Sequence, residues 1–569
     1  MDSTTYRNSS TSTLWGGLNG AADELAPSSS QASRNGNPVS STQVDVLPAP
    51  RGSRTPSGAN LISSDGWRSL PVELLLQIFP HCLPSEFTIL PPSLIMEAPL
   101  ALLFVCQKWR AVALSTAQLW NSPRIRLTPE LWGSLRMSLP TSYHRLLDEE
   151  LKKQRHGIKQ RLNRAGSFPL SLSLIIRHEP KPELVDFQND TFDLVAFLMR
   201  YSSRFVDLTI FSLSTMCDFS QSAAILGTRF PALESMSIVH WTAGGDHIEG
   251  RLSTLMPISE KLMPKLHKLY LDGFSSPVIS HLTRTHNWSP NIKHFILASM
   301  SVLDNSPFGP ADILSILSQN THLHSFHAAV TLNSIYPIHR SLQRSSSVLN
   351  LPSLLHLKLQ FIIPPNDILH AHPDPDIHRL FKSIFCPSLK TLCIVYAGIP
   401  SLTEVPFLPW LSPSNPRISR IDQLRELKLE VSMTSRALTE CLIHLPSSLR
   451  ILEIVDLGQV EFNRTGMMCG HTVRDSHLDL LTRKHDSVDV DICPSLKIFR
   501  FVVSRFLVSD GFETQLENMG VSLGGLQRFV DSRSQSTGNG HGTRKGRTLR
   551  ECEVLLSPSS SRYYTLDLP

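Results

Sequence analysis

A short apolar unit recurs along most of the 569-residue chain. It consists of a leading leucine or isoleucine, two further residues, an apolar residue, one intervening residue and a second apolar residue. Successive leading positions lie 25 to 47 residues apart. A period of this size predicts a solenoid, because each repeat can bury its apolar side only against its neighbours. The leading positions are Leu233, Leu266, Ile292, Leu323, Leu354, Leu389, Leu424, Leu449 and Leu496.

Each repeat combines the pattern of one strand with that of one helix. Apolar residues two places apart lie on the same side of a strand. Helical stretches separate the strands, and parallel strands need such a crossover of about a dozen residues or more. We therefore expect the α/β class, with parallel strands on a concave face and helices on a convex face. The helical stretches are 193–203, 311–319, 376–385 and 435–445.

The repeats resemble leucine-rich repeats of an irregular kind. The asparagine that usually follows the last leucine is missing, so no standard asparagine ladder is expected. Candidate end units are 204–210 and 548–554, and residues 167–176 alternate as a strand should. The longest steps imply surface insertions at 470–491 and 531–548, and the polar composition of the second predicts a flexible segment.

A helical segment precedes the repeats. Pro71 suits the first turn of a helix and Glu73 its positive end. Leu74 and Ile78 recur at helical spacing, and Pro80 should stop or kink this helix. Two more helical runs follow, near Pro99 and around Trp109–Trp120. Three short helices in about 60 residues cannot bury this apolar surface alone, so a partner or a larger domain should cover it.

This segment resembles an F-box, most closely those of the large F-box families of mushroom-forming fungi. The matching motifs are Leu70-Pro71-x-Glu73, Ile78-Phe79-x-His81-Cys82-Leu83-Pro84, Val105-Cys106-x-x-Trp109-Arg110 and Leu119-Trp120. Residues 85–97 lengthen the first connection relative to that family. The resemblance implies docking on the Skp adaptor of a Skp–cullin–F-box ubiquitin ligase, and thereby on a cullin. The implied contact residues are Leu70, Pro71, Leu74, Ile78, Phe79, Val105 and Trp109, although Trp109 could equally belong to the core.

These features divide the chain into four parts. Residues 1–66 are rich in Ser, Thr, Asn, Gly and Pro and predict a disordered tail. The F-box follows at 67–127 and a helical connector at 128–166, in which 146–166 is amphipathic and Gly166 is a reasonable C-cap. The solenoid occupies 167–569.

Composition and motifs exclude several classes of function. A net charge of +5 is too small to imply nucleic acid, and the nine cysteines lack a disulfide or C-x-x-C framework. No signal pattern or membrane-length apolar run occurs, so we expect a protein of the cytoplasm, the nucleus or both, with no membrane partner. The phosphate-loop mimic 538–545 and the His- and Asp-rich loop 370–378 lie in polar loops. We therefore expect no enzyme, no catalytic residue, no metal and no cofactor.

The residue between the two closing apolar positions of each repeat should face outwards. Among these residues, Lys358, Lys428 and Arg500 give the later repeats a positive bias, which suggests capture of an acidic or phosphorylated segment. The alternative is a solvated sheet face whose real contacts come from loops. The candidate substrate-binding residues are Tyr270, Lys358, Lys428, Glu453 and Arg500.

The sequence therefore predicts a substrate-recognition adaptor of a ubiquitin ligase. The F-box would hold the Skp adaptor, and the repeats would hold an unknown target protein. The alternative is a non-catalytic leucine-rich-repeat scaffold with no role in ubiquitination.

Overall fold

The computed structural model describes the chain in segments. These are residues 70–83, 99–122, 124–127, 144–178, 195–214, 228–241, 261–274, 279, 291–298, 308–332, 348–362, 375–396, 402, 404–411, 421, 423–431, 433–456, 459–463, 466–470, 473–482, 492–503, 520–534, 549–556 and 563–565. All of them belong to one compact unit, Trp67–Pro569. The predicted tail, the long F-box connection, residues 370–374 and the phosphate-loop mimic lie outside the described residues. Residues 375–378, predicted to belong to a polar loop, instead begin the helix Pro375–Ser383.

Two α-helices and two 3₁₀ turns form the N-terminal segment. Helix α1 is Val72–His81 and helix α2 is Gln107–Ser115, while the 3₁₀ turns are Ala101–Phe104 and Ala117–Trp120. Pro71 precedes α1, as its missing N–H allows, and α1 ends one residue after Pro80. The Cys106 Sγ accepts the Trp109 N–H at 3.5 Å and so caps α2. The run predicted around Trp109–Trp120 is thus two elements, because Thr116 breaks it in an extended conformation.

One sheet of 14 strands runs through most of the described residues after the F-box segment. Its first 13 strands follow one another in chain order, and each pairs in parallel with the next. The other four described strands form two separate two-stranded sheets. The strands of the large sheet are β1 Arg124–Leu127, β2 Leu170–His178, β3 Phe205–Ser214, β4 Ser235–Trp241, β5 Lys268–Asp272, β6 His294–Ala298, β7 Ser325–Thr331, β9 His356–Ile362, β11 Thr391–Tyr396, β12 Glu426–Val431, β13 Ile451–Asp456, β16 Ile498–Val503 and β17 Glu551–Leu556; β18 Tyr563–Thr565 then pairs antiparallel with β17. The predicted α/β class with a repeating parallel sheet is confirmed.

The two small sheets lie between coils. Strands β8 Leu349–Asn350 and β10 Ile384–Phe385 pair in parallel, which ties two successive turns together. Strands β14 Gln459–Asn463 and β15 Gly466–Gly470 form an antiparallel hairpin. The repeat pattern of the sequence does not predict this hairpin.

The leading positions of the repeat form the core. All nine are at most 1 % exposed, and the closing apolar residues of each strand are buried beside them. Helices cover the same side of the sheet: Phe381 contacts Phe361 of β9 with ring centroids 6.3 Å apart, and Phe529 contacts Phe499 of β16 at 5.1 Å. Where the structure describes both elements, a coil therefore buries its apolar side against a helix and the neighbouring strands, as expected of a solenoid. The helices are α3 His144–Arg164, α4 Pro310–Gln319, α5 Pro375–Ser383, α6 Leu408–Leu411, α7 Ser435–Ile443, α8 Asp475–Leu481 and α9 Leu523–Ser534.

Helix α3 ends as its sequence indicates. Gly166 has a φ of +55°, in the left-handed region that glycine adopts without steric cost. Its N–H bonds to the carbonyl of Asn163 at 3.0 Å, which closes the last turn. The chain then enters β2 at Leu170.

Three boundaries differ from the sequence-based prediction. Residues 124–127, placed at the end of the F-box, form β1 and pair with Ser173–Ile176 of β2. The supposed insertion 470–491 contains α8, whose Leu478 and Leu481 are buried, so it supplies a regular helix of the solenoid. The segment 531–548, predicted to be flexible, begins inside α9, because Val530 and Arg533 anchor the last turn of that helix in the core.

Candidate functional site

Helix α1 has more exposed apolar side chains than buried ones. Only Leu75 and Phe79 are buried, one turn apart. Val72 and Leu76 flank this stripe on one side, and the pair Leu74 and Ile78 flanks it on the other, each 40–43 % exposed. At about 100° per residue, the apolar arc covers roughly 200° of the helix, about twice what one packing face needs.

Phe79 is an anchor of the helix and is closed to any partner. Its ring is fully buried and lies 5.1 Å from the ring of Trp109 on α2. The Lys108 ammonium also donates to the Leu70 carbonyl just before α1. Phe79 and Trp109 therefore hold α1 against α2 and set which side of α1 faces outwards. Trp109 keeps part of its surface exposed.

The turn before α2 adds a second exposed apolar element. Phe104 is 70 % exposed, the highest value among the exposed large hydrophobic side chains of the described residues, and Val105 is 38 % exposed. In the described part of the chain, six of the ten exposed large hydrophobic side chains lie in this helical segment. An apolar concentration of this kind marks a surface that another protein covers.

The structure divides the seven predicted contact residues into three groups by exposure. Pro71, Leu74, Ile78 and Val105 are exposed, whereas Leu70 and Trp109 are partly exposed and Phe79 is buried. Sequence reasoning missed Val72, Leu76 and Phe104. A helical wheel of α1 would have found the first two, because they extend the apolar arc beyond the stripe that one neighbour can cover.

The helical segment is joined to the first coil of the sheet. The buried Trp120 donates from Nε1 to the Ala113 carbonyl at 2.8 Å, and the Arg164 guanidinium lies 4.9 Å from its ring centroid. Arg161 donates to the Ser122 carbonyl at 3.1 Å, and the Ser171 N–H bonds to the Asn121 carbonyl at 2.9 Å. These contacts place α3 and β2 directly against the end of the segment.

A second candidate surface lies on the sheet, opposite the helices. The five predicted substrate-binding residues occupy one register position across successive strands, which we call the face row. In the described strands from β2 to β17 the face row is Ser173, Thr209, Ser237, Tyr270, Ile296, His327, Lys358, Cys393, Lys428, Glu453, Arg500 and Glu553.

Internal ion pairs occupy most of the charge in the face row. The Lys428 ammonium lies 2.6 Å from the Glu453 carboxylate. The Arg500 guanidinium lies 2.6 Å from Glu551 and 2.9 Å from Glu553. Two of the three cations proposed to capture an acidic segment are therefore neutralised by neighbouring coils. The face row as a whole does not present the positive surface that its sequence suggested.

Tyr270 is likewise engaged within its own strand. Its hydroxyl donates to the buried carboxylate of Asp272 at 3.1 Å. Burial, together with that carboxylate, raises the pKa of Tyr270 above its ordinary value. The phenol remains a neutral donor, and its hydroxyl is already committed.

Other chemistry is not assembled in the described residues. Among them, no three His, Cys, Asp or Glu side chains are grouped closely enough to hold a metal ion. None of the described helices combines the length and the apolar character needed to cross a membrane.

Comparison with known proteins identifies the helical segment. The sequence model of the F-box-like family matches residues 67–126. A search of the curated proteins found no match. The crystal structure of the Rad7 and Elc1 complex in yeast is similar to this chain at 15 % sequence identity and a TM-score of 0.26, over 71 % of this chain and 92 % of that chain. With so low a TM-score, that similarity does not bear on what this chain binds.

The chain therefore contains an F-box-like domain at residues 67–126, followed by a repeating α/β sheet. The exposed apolar residues of α1 and of the turn at Phe104 lie within that domain.

Proposed function

We propose that this protein is the substrate-recognition adaptor of a Skp–cullin–F-box ubiquitin ligase. The observation that carries the proposal is the exposed apolar surface of the F-box-like domain, on α1 and at Phe104 and Val105. A small helical domain that leaves this surface uncovered favours a protein partner. The partner proposed is the Skp adaptor, and through it a cullin.

The repeats would hold the target protein. Their sheet exposes a broad face of polar and apolar side chains in register, which suits contact with a folded or extended protein partner. The chain itself would carry out no bond chemistry and would need no cofactor. It would raise the local concentration of its target near the charged ubiquitin carrier, in the cytoplasm, the nucleus or both.

The test separates binding from folding by choosing exposed positions. We would compare wild-type protein with the double variant Leu74→Asp, Ile78→Asp in a pull-down from cells of the source organism. The matched control is Val348→Asp, Ile443→Asp, which changes two apolar residues in the solenoid that are 45 % and 52 % exposed. We expect the Skp adaptor and cullin to be recovered with wild type and control and lost, by at least about tenfold, with the F-box variant.

All three proteins should unfold at similar temperatures, because exposed substitutions change stability by about 0.5 kcal/mol or less. Equal recovery of the adaptor with wild type and F-box variant would refute α1 as the docking surface. Recovery of an adaptor without F-box-dependent ubiquitination of any bound protein would favour the scaffold alternative.

A further inference from the structure

Five cations occupy equivalent positions in the last five coils of the described sheet. Each one directly follows a leading leucine, or Leu549 of the end unit 548–554, and directly precedes a strand, at β11, β12, β13, β16 and β17. We call this set the edge row. It consists of Lys390, Arg425, Arg450, Lys497 and Arg550.

Backbone hydrogen bonds put these residues side by side. The Arg425 N–H bonds to the Lys390 carbonyl at 2.8 Å, and the Arg450 N–H bonds to the Arg425 carbonyl at 2.8 Å. The same bond joins Lys497 to Arg450 at 2.8 Å and Arg550 to Lys497 at 2.7 Å. The cations therefore form a single file along the edge where the strands begin, one per strand, over about 19 Å at about 4.8 Å per strand.

The edge row belongs to the later coils alone. The equivalent positions in the earlier coils are Glu234, His267, Lys293, His324 and Leu355, which share no common charge. The repeat pattern therefore does not require a cation at this position. The helix-covered core does not use these side chains either, since Arg425 and Arg550 are exposed and the other three are partly exposed.

Nearby described carboxylates do not pair with four of the five edge-row cations. Glu453 pairs with Lys428, and Glu551 and Glu553 pair with Arg500, all on the sheet face. Glu426 accepts a hydrogen bond from the Thr391 hydroxyl at 3.4 Å. Among the residues that the structure describes, none forms an ion pair with Lys390, Arg425, Arg450 or Arg550.

Like charges on adjacent strands repel, so this arrangement costs stability in the free protein. An anionic partner would remove that cost. We propose that the edge row binds an extended acidic segment, rich in Asp or Glu, of the target protein. That the segment belongs to the target protein rests on the proposed function, whereas its acidic character follows from the positive charge of the edge row.

The geometry favours a peptide over a nucleic acid. About six residues of extended chain span the length of the row. The row is a single file of one cation per strand, which matches the width of one extended chain. It contains no aromatic side chain on which a base could stack.

The test uses the full-length chain and a fluorescein-labelled peptide of eight glutamates, with a peptide of eight glutamines as reference. Fluorescence anisotropy would measure peptide binding to three proteins. They are wild type, the triple row variant Arg425→Gln, Arg450→Gln, Arg550→Gln, and the triple control variant Lys152→Gln, Lys159→Gln, Lys265→Gln. The control removes the same charge from exposed lysines outside the row. We expect at least a tenfold weaker affinity for the row variant and a change within about twofold for the control. Wild-type binding should also weaken as salt is raised.

Three results would overturn the proposal. They are equal affinity for the two peptides, equal losses in the row and control variants, or tighter binding of an eight-nucleotide deoxythymidine strand than of the glutamate peptide. Because neutralisation removes repulsion, the row variant should melt no lower than wild type, which separates lost binding from lost folding. Leu74→Asp, Ile78→Asp should keep peptide binding, so failure of the adaptor proposal would be seen separately.

Discussion

At the residue scale, position in the face row decides how a side chain ionises. His327 of β7 lies between Ile296 of β6 and Lys358 of β9. Burial, with the positive charge of Lys358 adding to it, lowers the pKa of His327 to about 4. Neither effect can be read from the repeat alone, because both come from the coils on either side.

His327 should make the protein less stable in mild acid. Above pH 6.5, its ordinary pKa, the imidazole is neutral in both the folded and unfolded chain. Between pH 6.5 and about 4 the unfolded chain binds a proton that the folded chain does not, so the free energy of unfolding falls as the pH falls. In His327→Gln this contribution should be absent. The free energy of unfolding, measured with urea at pH 7 and at pH 5, should differ less between the two pH values for His327→Gln than for wild type. An equal difference in the two proteins would contradict this role of His327.

At the element scale, the last two helices of the described part of the chain, α8 and α9, are tied together at both ends. Asp475, at the start of α8, accepts hydrogen bonds from the Ser522 N–H at 2.7 Å and hydroxyl at 2.6 Å, just before α9. At the other end, the buried Arg533 of α9 donates to the Leu481 carbonyl at the end of α8. The two helices therefore run parallel, as successive coils of a solenoid require.

Gly525 permits this close approach. A Cβ at position 525 would lie 2.4 Å from Oδ1 of Asp475, whereas one at Gly524 would meet nothing closer than 3.7 Å. Gly525→Ala should destabilise the protein by about 1–3 kcal/mol, because Asp475 must leave its hydrogen bonds with Ser522. Gly524→Ala is the control and should be neutral or stabilising by up to about 1 kcal/mol. Chemical denaturation of both variants tests this, and equal stabilities would rule out the clash.

At the scale of the whole molecule, an antiparallel strand covers one end of the otherwise parallel sheet. Strand β18 pairs antiparallel with β17 through Glu553–Thr565, Val554–Tyr564 and Leu555–Tyr563. An exposed strand edge offers unpaired N–H and C=O groups to other chains. Strand β18 therefore covers the last parallel edge of the described sheet.

Deleting residues 557–569 should uncover β17 and promote self-association. We expect the truncated protein to form concentration-dependent dimers or larger species, measured by sedimentation velocity, under conditions where the full chain does not. A truncated protein that sediments identically to the full chain at every concentration would show that β18 has no protective role.

Much of the fold could be predicted because the repeat is local. The spacing of the leading residues predicted a parallel α/β solenoid, and all nine leading side chains are buried. The helices predicted at 311–319 and 435–445 coincide with α4 and α7, since their apolar periodicity and the proline at 310 are features of the segment itself. Helix α8 was missed because the long step around it suggested an insertion.

The site was less predictable. Four of the seven predicted F-box contact residues are exposed, and Phe79 is a core anchor. Neighbours on a helix such as Ile78 and Phe79 have the same apolar character, so only packing against α2 distinguishes them. For the same reason, sequence reasoning treated Lys428 and Arg500 as available cations, although glutamates of adjacent coils pair with both.

The sequence by itself determined the class of fold, the F-box-like domain and the positions that form the core, because short-range periodicity and motif spacing encode these directly. Only the tertiary structure decided which charges are paired, which apolar residues of α1 are exposed, and that residues 124–127 join the sheet. These outcomes depend on the register between coils, which brings together residues some 25 to 50 positions apart, such as Lys428 with Glu453 and Arg500 with Glu551. The same register aligns Lys390, Arg425, Arg450, Lys497 and Arg550 into one edge row.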